Sequence, residues 1–181
     1  MGWATRSLAG RFAAANHEVI HQRVSKAAGV KPVFSVENHH NFAWKETMPA
    51  PRGYQQTERE VIVHRKGATP AGQGVFGVIP GSMGDPGYLV RGRGLAESLN
   101  SASHGAGRQM SRRQAKETIT KAERDRYLKE HGVTLLGGGL DEAPQAYKPI
   151  EQVIEVQHDL VEVVGQFKPV VVRMTDEAGY D

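Results

Sequence analysis

Cysteine is absent from the 181 residues. Disulfides, thiolate zinc sites, iron–sulfur clusters and a cysteine nucleophile are thereby excluded within this chain. Aromatic residues are scarce, at 7%. No apolar run approaches the ~18–20 residues of a membrane span, and the opening MGWATRSLAG holds no apolar signal core. A cytoplasmic protein with no membrane partner is the expectation. Neither sign of charge dominates: 23 Lys and Arg face 20 Asp and Glu, a net of +3.

What is present is unevenly placed. Between His64 and Lys116 eight basic residues face two acids, Asp85 and Glu97; between Asp141 and Asp181 nine acids face three bases. A basic middle and an acidic tail point to an anionic ligand in the middle, or to two differently solvated faces. Glycine is enriched, 21 residues, with eleven of them between Gly67 and Gly107, against a usual share of ~7%. Glycine admits positive φ and close approach of backbone to a ligand. A glycine-dense, basic stretch without low-complexity repetition reads as a phosphate-handling site.

The length suits one domain, 1–181, with an ordinary 39% hydrophobic and 24% charged content. The spacing predicts a helix over 5–28 stopped by Gly29, and a short strand over 31–36. Further strands are expected over 58–64, 75–79, 88–91, 133–136 and 169–172. Helices are expected over 111–131 and, behind Pro149, over 150–164. The connections 40–58 and 64–74 read as long loops, and long loops in ordered proteins carry function. No internal repeat is visible. The class is α+β: mixed sheets, packed helices and long glycine-rich loops.

Three motifs invite chemistry. His17-Glu18-Val19-Ile20-His21 matches H-E-x-x-H, which on a helix presents two zinc ligands at i and i+4 with a glutamate base. No third ligand follows at a recognised spacing, and the stretch is also ordinary surface helix; a zinc hydrolase is the least favoured reading. Gly72-Gln73-Gly74-Val75-Phe76-Gly77 matches G-x-G-x-x-G, but a loop precedes it and a strand follows, so it reads as a turn rather than a dinucleotide site. His39 and His40 are adjacent on extended chain, so at most one faces a given site.

The most informative segment is Ser101-Ala102-Ser103-His104-Gly105-Ala106-Gly107-Arg108. Small neighbours leave the imidazole accessible to an anion. A helix beginning near Gly105 would put Arg108, Arg112 and Lys116 on one face and aim its N-terminus at that anion. Histidine beside a phosphate cradle serves as an acid–base or a nucleophile. The structural alternative is a glycine-rich turn leading into a basic surface helix.

Taken in order, RKGATPA, GVIPGSMG, YLVRG, NSASHGAGRQMSR and DEAPQAYK, with HHNFAW upstream, resemble the C-terminal half of the RNA-splicing ligase RtcB family. The likeness runs from about residue 13 to 169. The resemblance implies an RtcB-type fold and a GTP- and manganese-dependent RNA ligase of tRNA splicing and RNA repair. Such an enzyme joins a 3′-phosphate or 2′,3′-cyclic phosphate end to a 5′-hydroxyl end. It implies His104 as the nucleophile that carries GMP, His40 as a manganese ligand, and Asn41 as a nucleotide contact. Pro80, Gly81, Ser82, Met83 and Gly87 would line the guanylate site, with Gly105, Ala106 and Gly107; Tyr147 would lie near the guanine. Lys66, Arg108 and Arg112 would hold phosphate from the nucleotide or the RNA end. Gly87 stands where many members carry serine, and Arg173 lies near, in uncertain register with, a terminal lysine of the family.

The family's remaining metal ligands, an Asp, a Cys and two further His, belong to an N-terminal half that this chain lacks. The expectation is therefore a fragment, from a truncated frame or a split gene, whose partners are RNA ends, an N-terminal half supplied by another chain, and an archease-type activator. An inactive RNA- or nucleotide-binding remnant is the alternative.

Overall fold

The computed structural model describes residues 3–174 apart from 51, 52, 54 and 56. Helix α1 spans Trp3–Ala28. It ends in a Schellman motif: the Gly29 N–H donates to Lys26 O and the Val30 N–H to Ser25 O, with Gly29 at φ 67°. Much of the helix is exposed, Phe12 and Val24 included. Its contact with the body runs through Gly10, packed against the Phe42 ring, and through His17, whose Nδ1 lies 2.8 Å from Glu37 Oε1.

The strand expected over 31–36 is not formed. Its composition suits a strand, but no partner strand lies beside it; Val33 is fully exposed, and Phe34 packs edge-on against Phe76 at 5.2 Å. The supposed long loops instead hold paired strands. β1 (Asn41–Pro49) and β2 (Glu58–Lys66) form an antiparallel hairpin with Asn41 opposite Lys66. Within the loop expected over 40–58, residues 51, 52, 54 and 56 lie outside the described residues. β3 (Ala68–Pro70) pairs with β6 (Ser101–Ser103), antiparallel, within the second supposed loop.

The largest sheet has the order β4-β5-β8, all antiparallel: β4 (Phe76–Pro80), β5 (Gly87–Gly92) and β8 (Val161–Phe167). The helix expected over 150–164 is thus cut short. α4 covers Ile150–Glu155, and the following apolar residues extend to supply β5 with its second partner, with Val161 buried. The core packs this sheet against β6 and α4 through Ile79, Tyr88, Val90, Ala102 and Ile150.

The helix expected over 111–131 is two helices. α2 (Arg112–Thr118) starts where the Ser111 hydroxyl accepts from Gln114 N–H, and α3 (Lys121–Glu130) starts in a capping box between Thr120 and Glu123. β7 (Thr134–Gly137) and β9 (Val171–Arg173) pair in parallel, and Met83, Leu128 and Val133 form a second core beneath them. The α+β class stands. No described helix is long and apolar enough to cross a membrane.

One buried cation fastens the hairpin to the rest. Arg65, 2% exposed, grips Glu46 through both Nη atoms and donates to Ser101 Oγ at 2.8 Å and Leu99 O at 2.8 Å. Its guanidinium also lies 5.0 Å from the Trp44 ring centre. Removing one partner of a buried pair leaves the other charge unpaired, a loss of about 3 kcal/mol. Glu46→Ala is therefore expected to lower the urea midpoint markedly at unchanged slope; an unaltered midpoint would contradict the anchoring role.

Candidate functional site

The open end of the β1–β2 hairpin delivers His40, Asn41 and Lys66 together, because strand register puts Asn41 opposite Lys66. Gly67 follows, and its backbone does two jobs. Its N–H donates to His40 O at 3.0 Å, and its carbonyl accepts from His104 N–H at 3.4 Å. Gly67 sits at φ 73°, in the left-handed region where a side chain is strained. The two imidazoles consequently stack, with centres 4.9 Å apart and planes 18° from parallel. His104 Nδ1 is buried and has no hydrogen-bond partner. Buried polar atoms are nearly always paired, so an orphan of this kind marks a place where chemistry or a ligand is to be sought.

His39 goes the other way. It stacks on His17 at 5.9 Å and stands 3.4 Å from Glu37. The His40 imidazole is held below its ordinary pKa of 6.5, first by desolvation, then by repulsion from His104, with His39 and His17 adding less. A neutral imidazole is what a metal or a phosphoryl group requires of it.

The loop after His104 rests on the opposite wall. Ala106 N–H donates to Pro80 O at 3.0 Å, and Gly105 packs close enough that a Cβ there would stand 3.2 Å from the same oxygen. Pro80 opens a cavity of about 330 Å3 whose walls include Gly81, Ser82, Met83, Gly87 and Tyr147, within the usual size of small-molecule sites. Each residue expected between 80 and 87 thus lines this cavity, whereas Gly105, Ala106 and Gly107 do not. A side chain at Gly87 would collide with the Phe167 ring, so the glycine there goes with the aromatic opposite.

The arginines are arranged otherwise than a helix from Gly105 would have them. The Ser111 cap starts α2 only at Arg112, so Arg108 lies outside it, bridged to Tyr147. The Arg108 guanidinium donates to Met110 O and Asp141 O and to the Tyr147 hydroxyl, and covers the Tyr147 ring at 5.0 Å. It is a half-buried brace. Arg112 is 66% exposed and pairs at 2.8 Å with both Asp141 and Glu142. Tyr147 donates to Glu142, and burial with that carboxylate raises its pKa, so its hydroxyl remains a donor.

Sequence reading missed Gly67, Asp85, Glu142 and Phe167. Asp85 lines the cavity while accepting from Ser82 Oγ and, at 2.6 Å, from Tyr127. The adjacency of Asp85 to PGSMG and of Glu142 to AYK was the available signal. As for H-E-x-x-H, Glu18 accepts from Gln22, and His17 turns to Glu37 and His39. Among the described residues no three His, Asp or Glu side chains form a group able to hold a metal ion. His40, expected from the resemblance to be a metal ligand, has no second and third ligand beside it among the described residues.

Comparison with known proteins gives a family model, tRNA-splicing ligase RtcB, that matches residues 3–175. The RNA-splicing ligase RtcB of Escherichia coli K12 is 42% identical over 133 residues, 74% of this chain and 31% of that protein. The tRNA-splicing ligase RtcB of Nanoarchaeum equitans is 34% identical over 191 positions, 94% of this chain and 39% of its own length. For the RNA-splicing ligase RtcB of Mycobacterium tuberculosis the values are 31% identity, 86% and 40%. The chain thus spans well under half the length of these curated relatives.

The imidazole stack has a measurable consequence. Because the folded state lowers the His40 pKa, the neutral form favours folding; that contribution is complete above the ordinary 6.5 and fades as pH falls through the lowered value. Titration followed by proton NMR should place the His40 midpoint below 6.5, and His104→Ala should move it back upward by removing the nearest repulsion. A midpoint at or above 6.5 in the unaltered chain would refute the stacked arrangement.

Proposed function

The chain belongs to the RtcB family, and from that premise we propose that it is the nucleotidyl-transfer portion of an RNA ligase using GTP and manganese. The substrates are an RNA 3′-phosphate end, or a 2′,3′-cyclic end once water has opened it, and a 5′-hydroxyl end. The observation that carries this reading is His104: its N–H is held by Gly67 O, its Nδ1 is buried and unpartnered, and the loop after it is pinned through Ala106 to Pro80, a residue that lines the cavity.

In the proposed sequence an imidazole nitrogen of His104 attacks the α-phosphorus of GTP. The P–N bond forms as the bond to pyrophosphate breaks, and GMP is carried on the histidine. An oxygen of the RNA 3′-phosphate then attacks that phosphorus and frees the imidazole. Last, the 5′-hydroxyl gives up its proton and attacks the 3′-phosphate, GMP leaves, and a phosphodiester remains. Three successive displacements at phosphorus thus replace one difficult condensation.

Each neighbour has a part that follows from its position. His40, kept neutral, would be one ligand of a manganese ion, which when bound takes up charge on phosphoryl oxygens. Asn41 and Lys66 stand at the same hairpin end, where they would meet the nucleotide phosphates. Pro80, Gly81, Ser82, Met83 and Gly87 would enclose the guanylate, with Gly105, Ala106 and Gly107 leaving room for its phosphate. Tyr147 and the Glu142 carboxylate suit guanine, whose edge presents N–H donors. Arg112 would take the RNA phosphate through its exposed face while Arg108 holds Tyr147 and the Asp141 backbone in place. The other metal ligands would come from the part of the relatives' length that this chain does not span, in the same polypeptide or a second one. Arginines that hold phosphate rather than bases suit ends of differing sequence.

A labelling experiment decides the reading. The chain is combined with the remaining portion of an RtcB ligase, in trans or fused, and given α-labelled GTP with manganese. Label is expected on protein, lost in acid and retained in base, as a histidine phosphoramidate requires. His104→Ala should abolish it; His17→Ala and His21→Ala should not. Label that persists in His104→Ala, or that maps to a lysine, overturns the mechanism. RNA binding without any label supports the binding remnant instead.

A further inference from the structure

A second, larger cleft of about 840 Å3 lies between α2, α3 and the glycine stretch after β7, away from His104. Lys116, Lys121, Arg124 and Lys129 line it, with one carboxylate, Asp125. Arg124 is nearly buried. It donates to both Asp125 Oδ1, at 2.7 and 2.9 Å, and Gly138 O, at 2.8 Å. The single acid of the cleft is thus neutralised within its own wall, and the exposed ammonium groups set the sign of the rest. The floor is apolar, with Leu128, Val133 and Leu135, and no aromatic residue lines it.

The cleft is continuous with the site already described. Arg112 and Lys116 are one turn apart on the same face of α2. Leu140 lines the cleft, and Glu142, two residues on, lines the cavity and pairs with Arg112. Gly138, on the cleft floor, packs where a Cβ would stand 3.5 Å from Met83 Cε and 3.1 Å from Met174 Cβ, both of which line the cavity. The two hollows share one wall.

We propose that this cleft binds the sugar–phosphate backbone of single-stranded RNA, taking the nucleotides that precede the end held at Arg112. The inference rests on the ligase reading for its ligand and extends it to a region with no assigned part. Lys121 and Lys129 stand about 12 Å apart by the rise of an α-helix, a span several nucleotides cover. With cations on the rim and no stacking platform, binding should depend on backbone length and on salt, and not on base identity. An acidic polypeptide would meet the same charges but has no reason to continue toward the arginine beside the nucleotide cavity.

The test uses the whole chain and oligouridylates of two and eight nucleotides, each with a 3′-phosphate or a 3′-hydroxyl, in fluorescence anisotropy at several salt concentrations. The octamer should bind at least about tenfold more tightly than the dimer. The double variant K121Q/K129Q, altered at two exposed positions, should lose that gain, with the salt slope smaller by about 1.4, or ~0.7 for each single-strand phosphate contact. Preference for a 3′-phosphate should survive in it. Equal affinity for dimer and octamer, no measurable octamer binding, an undiminished gain in K121Q/K129Q, or polyglutamate displacing RNA from those lysines overturns the cleft. A 3′-phosphate preference without a length gain keeps the ligase reading and removes the cleft. A length gain without that preference does the reverse.

Discussion

The backbone of Gly67 ties His40 to His104 through both of its polar groups, and the arrangement of the site follows from that link. The two histidines are 64 positions apart in sequence. Nothing in their side chains attracts one to the other; a charge on His104 opposes one on His40. They are brought together because β2 ends at Lys66, the chain turns left-handed at Gly67, and β3 then pairs with β6 to end beside His104. Arg65, immediately before that turn, grips Glu46 on one side and the Leu99 and Ser101 region on the other. The hairpin that carries His40 and the strand that carries His104 are therefore locked to a common buried cation. Placement by backbone leaves the imidazole atoms uncommitted, as a reacting group needs, while fixing where they stand.

The far side of His104 is held as firmly by different means. Pro80 accepts from Ala106, Gly107 accepts from Lys148, and Ser103 donates its hydroxyl to Gly105 O while its N–H goes to Gln157. The loop SHGAG is thus not a mobile glycine tract. It is a ridge between the hairpin end and the cavity. Its small side chains are explained by crowding against Pro80 as much as by room for a phosphate. Both requirements fall on the same residues, and for that reason the segment stands out so strongly in the sequence.

Legibility followed the range of the interactions. Helix α1, strands β2, β4 and β5, and the stop at Gly29 were visible because their signals are local. The Asn41–Pro49 strand was not, since NFAWKETMP lacks clean alternation and ends among prolines; its pairing with β2 decides it. Conversely, KPVFSV has the composition of a strand and nothing to pair with. The run 150–164 carries helical spacing, yet the free edge of β5 draws its second half into β8. For the site, Pro80, Gly81, Ser82, Met83, Gly87 and Tyr147 of the expected residues line one cavity, and His40, Asn41 and the loop 104–107 do not. The partners that lie across the fold, Gly67 above all, carry no local signal of the contacts they make. Arg108 shows the limit most plainly: four-residue spacing to Arg112 suggested one helix face, and a serine cap three residues later decided otherwise.

The charge asymmetry of the sequence takes on a different meaning in three dimensions. A basic middle and an acidic tail could have been two faces of the surface. Instead the two segments meet. Arg91 pairs with Glu162, Arg112 with Asp141 and Glu142, and Arg108 stands 3.7 Å from Glu142. Two guanidinium groups against two carboxylates leave the Tyr147 cluster close to neutral, so it cannot by itself draw in a polyanion. On the proposed ligase reading its use would be discrimination at short range. A phosphate reaching Arg112 must compete with carboxylates already bound there, and it succeeds only where the geometry is as good as theirs. Long-range attraction has to come from cations not so engaged in their own contacts, and α3 presents exposed Lys121 and Lys129 one short turn beyond α2. On the proposed reading, selectivity at Arg112 and capture at the lysines of α3 would be separate functions of neighbouring helices, set by whether the acidic tail reaches the cation in question.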